Sequence, residues 1–186
     1  HDGFKGLQRA ITLTAPDIVK EVLDSGLRGR GGAAFPTGIK WKTVLDAQAD
    51  QKYIVCNADE GDSGTFSDRM IMEDDPLTLI EGMTIAGIAV GADQGYVYIR
   101  SEYPHAIATM RKAVDIAEAA GYVGDDILKS GKRFKLHIHE GAGAYVCGEE
   151  TAMLNAIEDK RPEARLRPPQ ITELGLYSKP RSEERR

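Results

Sequence analysis

The residues best suited to chemistry lie in three stretches, and the first is Gly26 to Lys40. It reads G-L-R-G-R-G-G-A-A-F-P-T-G-I-K, with glycine at 26, 29, 31, 32 and 38, arginine at 28 and 30, and lysine at 40. Glycine lets a ligand approach the main chain closely. A glycine-rich turn that feeds a helix presents N–H groups and the positive end of the helix dipole to an anion. Arginine and lysine add full charges. The combination predicts a cradle for a phosphate or nucleotide. A flexible basic surface loop is the competing reading, but Phe35-Pro36 and Trp41 are stiff and apolar for a linker.

The second stretch, Asn57-Ala58-Asp59-Glu60-Gly61-Asp62-Ser63-Gly64-Thr65, follows the apolar run Tyr53-Ile54-Val55-Cys56. That run predicts a buried strand, and ligands of open α/β sheets bind at the carboxyl ends of strands. The third runs from Glu140 to Thr151, again where a strand gives way to a helix. Glu149 and Glu150 at that helix start suit its dipole but would repel a phosphate. They match ribose hydroxyls or ring N–H groups better. Cys147 has no partnered histidine in the pattern and reads as a buried structural cysteine. His137 and His139 share one strand face, but a metal needs further ligands, so a solvated strand face is the expectation. Met110 sits on a helical apolar stripe and reads as core.

Two familiar motifs fail on mechanism. Gly29-x-Gly31-x-x-Ala34 matches a dinucleotide fingerprint as a string, yet a helix precedes it where the fingerprint requires a strand. Lys40 is followed by Trp41, not by the Ser or Thr of a phosphate-binding P-loop.

The elements that position these stretches follow from periodicity. Thr14-Ala15-Pro16-Asp17 reads as a capped helix start, with Ile18, Val19, Val22 and Leu23 at helical spacing and Gly26 as the stop. Gly38 to Leu45 predicts a helix with Ile39, Trp41, Val44 and Leu45 apolar, and Pro76 to Val90 a helix with small residues on one side. Strands are expected at 53–56, 95–100 and 134–139, with Phe134, Leu136 and Ile138 facing in. Helices follow at about 105–120 and 149–157. The repeated β-loop-α order argues for an α/β layer fold with a parallel or mixed sheet and helices on both faces.

The 186 residues are enough for one domain, and 41% hydrophobic with 28% charged is ordinary for a globular protein. A net charge of −5 argues against general nucleic-acid binding. No apolar run is long enough to span a membrane, and the first residues hold no signal-peptide core. Cys56 and Cys147 are far apart with no C-x-x-C, so neither a disulfide scaffold nor a Cys-ligated cluster is expected within the chain. A reducing cytoplasm fits, including the cytoplasmic face of a membrane complex. Pro, Arg and Glu crowd the end, so residues 1–170 are expected as the α/β domain and 171–186 as an extended or poorly ordered tail.

Three segments carry a family resemblance: G-R-G-G-A-A-F-P-T-G-I-K-W (29–41), N-A-D-E-G-D-S-G-T-F-S-D-R (57–69) and E-G-A-G-A-Y-V-C-G-E-E-T-A (140–152). In this order they resemble the NADH-binding flavoprotein subunit of respiratory complex I, which recurs in NAD-reducing hydrogenases and NAD-dependent formate dehydrogenases. The second segment is closer to the formate dehydrogenase and hydrogenase branch. The resemblance covers about residues 4–169, and Ile171 to Arg186 matches it poorly. It implies a Rossmann-like domain holding FMN, with hydride passing from NADH to FMN and electrons leaving through iron–sulfur clusters in missing domains or partner subunits, a ferredoxin-like two-iron subunit among them. It carries FMN contacts onto Gly29, Arg30, Gly31, Lys40, Asn57, Asp59, Glu60, Tyr145, Gly148, Glu149 and Glu150. It carries NADH contacts onto Phe35, Asp62, Glu150 and Arg167, and names no catalytic side chain. The family has glycine where Ala34 stands, and Lys-Pro-Pro-aromatic where Arg167-Pro168-Pro169-Gln170 stands. Its later sheet and cluster domains are not in this chain, so a truncated remnant acting as an assembly or partner-binding piece is the alternative. A nucleotide or phosphate sensor without redox function is a third reading.

Overall fold

The computed structural model describes residues 3–30 and 33–184; Gly31, named above for the cradle, lies outside them. Helices α1 (Lys5–Ala10), α2 (Ala15–Asp24) and α3 (Thr37–Asp46) precede strand β1 (Tyr53–Ala58). Helices α4 (Ser67–Asp74) and α5 (Pro76–Val90) lead to β2 (Gln94–Ile99), and α6 (Pro104–Ala119) leads to β3 (Lys135–Glu140). A 3-10 turn at Tyr145–Gly148, helix α7 (Glu150–Ile157) and a turn at Leu176–Ser178 precede β4 (Arg181–Glu184). The sheet order is β3-β2-β1-β4, and every pairing is parallel. An all-parallel sheet aligns the carboxyl ends of its strands at one edge, and there the second and third stretches meet.

Local chemistry accounts for the helix boundaries. Thr14 Oγ1 accepts the Asp17 amide at 3.3 Å, Pro16 occupies the first turn of α2, and Gly26 adopts φ 70 beyond its end. Pro76 opens α5, and Gly91 at φ 77 terminates it. Ile39, expected in the apolar face of α3, points to solvent instead at 45% exposure.

The sheet separates two cores, as its period of two requires. Ile54, Cys56, Ala58, Val97, Ile99 and Leu136 face the layer built by α1–α6. Val55 and Tyr98 face the opposite way, onto Cys147, Met153, Leu154, Ile157 and Leu176. Each fully buried large aliphatic or aromatic side chain contributes about 1.5–3 kcal/mol. Met110 is fully buried in the first core, with Phe134, Leu136 and Ile138 alongside. His137 stacks near Tyr96 and His139 near Tyr98, with ring centroids 5.0 and 5.2 Å apart.

Residues 171–184 do not form a poorly ordered tail. Leu176 is fully buried, Arg181 and Ser182 are buried, and β4 runs extended beside β1 with Tyr53 opposite Arg181. The reason is the edge of β1, which β4 covers by backbone pairing, a contribution that side-chain composition does not report. Among the described residues no helix is long and apolar enough to cross a membrane.

Gly38 stands in the phosphate-cradle stretch, but its role is packing. A Cβ there would lie 2.6 Å from Leu23 Cα, against the backbone of α2. Gly38→Ala is therefore expected to force α2 and α3 apart and lower unfolding free energy by about 1–3 kcal/mol, read by urea denaturation; an unchanged midpoint would show that the helices give way freely.

Candidate functional site

Two loops close on each other at the carboxyl edge of the sheet. Asn57, 2% exposed near the end of β1, donates through Nδ2 to Gly148 O at 3.1 Å, and its Oδ1 accepts the Asp59 amide at 3.3 Å. One side chain thus ties the acidic loop to the loop after β3. Farther out, the Tyr145 hydroxyl donates to Asp62 Oδ1 at 3.2 Å. The Tyr145 ring lies over Gly61, where a Cβ would come within 2.6 Å of it. Between the loops is a cleft of about 520 Å³ lined by Asp59, Gly61, Asp62, Tyr145, Gly148 and Glu149, among others. That volume falls within the usual range of small-molecule sites, about 300–1,000 Å³.

Glu60 also borders this cleft. Its Oε1 accepts the amides of Ser67 at 2.9 Å and Asp68 at 3.1 Å, and the Ser67 hydroxyl at 3.0 Å. Its Oε2 accepts the Arg69 amide at 3.3 Å and the Tyr103 hydroxyl at 3.4 Å. The carboxylate therefore caps α4, whose own N-cap residue, Phe66, supplies no side-chain cap. Glu60, expected to reach toward a cofactor, borders the cleft, and donors of α4 and Tyr103 engage both its oxygens. Burial pushes the Glu60 carboxyl up, but the amide and hydroxyl donors outweigh it and leave the pKa below the usual value.

Glu149 plays the same part for α7. Its Oε2 accepts the amides of Thr151 at 2.9 Å and Ala152 at 2.8 Å. Its pKa is also lowered, since burial raises it less than Thr151, the two amides and Arg167 lower it. Arg167 pairs with both Glu149 and Glu150. Cys147 is buried, and burial pushes its thiol up, away from a nucleophile's range.

The basic stretch stands apart from the cleft, and among its described residues none lines it. It folds on itself: Arg28 and Pro36 form a bridge, and the Gly29 amide donates to Phe35 O at 3.0 Å. That amide is thus already engaged within the loop. Arg30 and Phe35 are exposed, and Lys40 lies half-buried in the first turn of α3. Ala34 holds φ 52, a left-handed angle that costs a non-glycine residue about 1–2 kcal/mol. Among the described residues no group of three potential metal ligands lies together.

Sequence reasoning missed Arg100 and Tyr103. Arg100 Nη1 donates to the Glu60 carbonyl, and the guanidinium pairs with Glu102. Their place directly after β2, at the same edge as the two loops, was the available signal.

A parallel α/β sheet with a two-loop cleft at its carboxyl edge, rich in carboxylates and backbone groups, defines a nucleotide- or cofactor-binding class of protein. The Nuo51 FMN-binding domain family matches residues 22–178, and the chain belongs to that family. The match reaches eight residues past Gln170, into the stretch Ile171 to Arg186 expected to match the family poorly. An NADH-quinone oxidoreductase subunit of Rhizobium meliloti is 54% identical over 179 residues, covering 96% of this chain and 42% of that protein. The HndC subunit of an NADP-reducing hydrogenase from Solidesulfovibrio fructosivorans is 51% identical, covering 96% of this chain and 36% of that protein. The chain thus spans about two fifths of the length of these curated relatives. A solved NAD+-reducing [NiFe]-hydrogenase in its H2-reduced state superposes with a TM-score of 0.88 at 35% identity, covering all of this chain and 31% of that one.

Because the folded-state pKa of Glu60 is depressed, its stabilisation is fully present above the unfolded value, about 4.3, and is lost as pH falls through the folded value. The wild-type urea midpoint is expected to hold from pH 7 to about 5 and then fall. Glu60→Gln is expected to lower stability by about 1–2 kcal/mol at pH 7 and to flatten the acid limb; parallel acid limbs in the two proteins would rule the cap out as a contributor.

Proposed function

We propose that this chain is the FMN- and NADH-binding module of an NAD-linked oxidoreductase of the hydrogenase or formate dehydrogenase type. The observation that carries the reading is the cleft itself, where Asp59, Gly61 and Asp62 face Tyr145, Gly148 and Glu149. These residues fit a flavin mononucleotide. The cleft is large enough for a flat ring, and its carboxylates would accept from ribityl hydroxyls or ring N–H groups. When bound, the flavin supplies hydride acceptance, so no side chain has to move a proton.

The chain's own residues then bind, orient and shield. Asn57 holds the two loops at a fixed separation, and Asp59, Glu149 and Glu150 provide acceptors. Glu60 positions the acidic loop through α4. Arg30 and Lys40, outside the cleft lining, would receive the phosphate near the start of α3, with Gly29 shaping the loop through its bond to Phe35; Pro36 offers no side-chain cap there and the dipole favours an anion. Phe35 supplies an exposed aromatic face for the adenine of NADH, with Asp62 for a ribose hydroxyl and Tyr145 at the mouth to limit water. Iron–sulfur clusters in further domains or partner subunits, a ferredoxin-like two-iron subunit among them, would take electrons onward on the cytoplasmic side. The family match and the relatives' names as oxidoreductase and hydrogenase subunits support partner subunits in a larger complex.

The test is an absorption spectrum of the chain after addition of FMN and removal of the excess, followed by NADH titration under nitrogen. Retained flavin bands that bleach with NADH are expected. Retained flavin without bleaching would leave an FMN cradle without an NADH site. No retained flavin would overturn the module reading and favour an assembly piece.

A further inference from the structure

Glu149 and Glu150 bring two carboxylates to the start of α7, beside the cleft. Like charges so close to a dinucleotide would repel its phosphates. The segment after α7 supplies the counter-charges. Arg167 Nη2 lies 3.3 Å from Glu149 Oε1 and forms a closer ion pair with Glu150 Oε1. The other Glu150 oxygen lies 3.6 Å from Nη2 of the fully buried Arg181. Glu149 Oε2 already serves the amides of α7, so Arg167 meets its remaining oxygen. The side chains of Arg167, Glu149 and Glu150 are 35%, 39% and 24% exposed, less open to solvent screening than a free surface pair. An arginine that clamps a phosphate turns its planar fork toward the ligand. Here the same nitrogen is turned to two carboxylates.

We propose that Arg167 is a positioning residue that acts chiefly through Glu150, its closer partner: together with Arg181 it offsets the charge of the Glu149–Glu150 pair and thereby admits the phosphates of a dinucleotide, without gripping them itself. The inference rests on the function proposed above. It differs from a direct NADH contact in one measurable respect. A screening arginine matters only while the acid it screens is charged, whereas a clamping arginine matters regardless.

The experiment is the anaerobic NADH titration of the FMN-loaded full chain in the wild type, Arg167→Gln, Glu150→Gln and the double variant, with Arg167→Lys as the charge-conserving control. Arg167→Gln is expected to raise the NADH concentration for half-bleaching about tenfold, and the same change in the Glu150→Gln background by less than about threefold, the signature of coupled neighbours. Arg167→Lys is expected to stay within about threefold of the wild type. Equal tenfold losses in both backgrounds, or no loss in Arg167→Gln, would overturn the inference alone. A wild type that holds no flavin, or holds it without bleaching, would refute the functional reading first and this inference with it.

Discussion

A carboxylate removed from water must find donors or give up its charge, and the position of Glu60 follows from that constraint. With 6% of its surface exposed, it gathers the first amides of α4, the Ser67 hydroxyl and the Tyr103 hydroxyl. Three elements meet at this one group: the end of β1, the start of α4 and the turn after β2. Arg100 grips the backbone carbonyl of the same residue. The acidic loop therefore leaves the sheet in one fixed direction, with Asp59, Gly61 and Asp62 along the cleft. Glu149 repeats the device at α7, and Asn57 joins the two loops. The cleft is thus framed by two carboxylates that cap helices and one amide that bridges loops.

The parallel sheet makes this arrangement possible. Each strand from β1 to β3 delivers its following segment to the same edge, and each crossover helix returns the chain to the other. The acidic loop, the Arg100–Tyr103 turn and the loop after β3 thereby converge although they are distant in sequence. The basic stretch arrives differently. It joins α2 to α3, and the approach of those helices at Gly38 fixes the ends of the loop.

Much of this was legible in residue order. Period-two and short apolar runs located β1, β2 and β3 to within two residues at either end, because alternation and burial are local signals. The capping pattern at Thr14 and the stop at Gly26 likewise depend on neighbours. What escaped notice depends on distant partners. Helix α4 has no cap of its own, since its cap comes from Glu60. Strand β4 exists because β1 has an open edge, and a run such as Arg181-Ser182 shows no alternation of its own. The site divides along the same line. The acidic loops stood out by composition, whereas the capping of α4 by Glu60 and the bridging by Arg167 are visible only in three dimensions. Gly38, one of the five glycines of the basic stretch, answers to Leu23.

The two faces of the sheet are covered unequally. Six helices lie over one face, while the other is closed by α7 and short turns around Val55 and Tyr98. A thin layer opens at lower free energy than the whole molecule unfolds. The loop carrying Tyr145, Gly148 and Glu149 belongs to that layer, so sub-global opening would dismantle one wall of the cleft while the six-helix side stays folded. A ligand held between the loops binds only the closed form, and mass action then adds its binding energy to the weaker layer. Occupancy of the cleft and integrity of that layer are, on this geometry, one equilibrium.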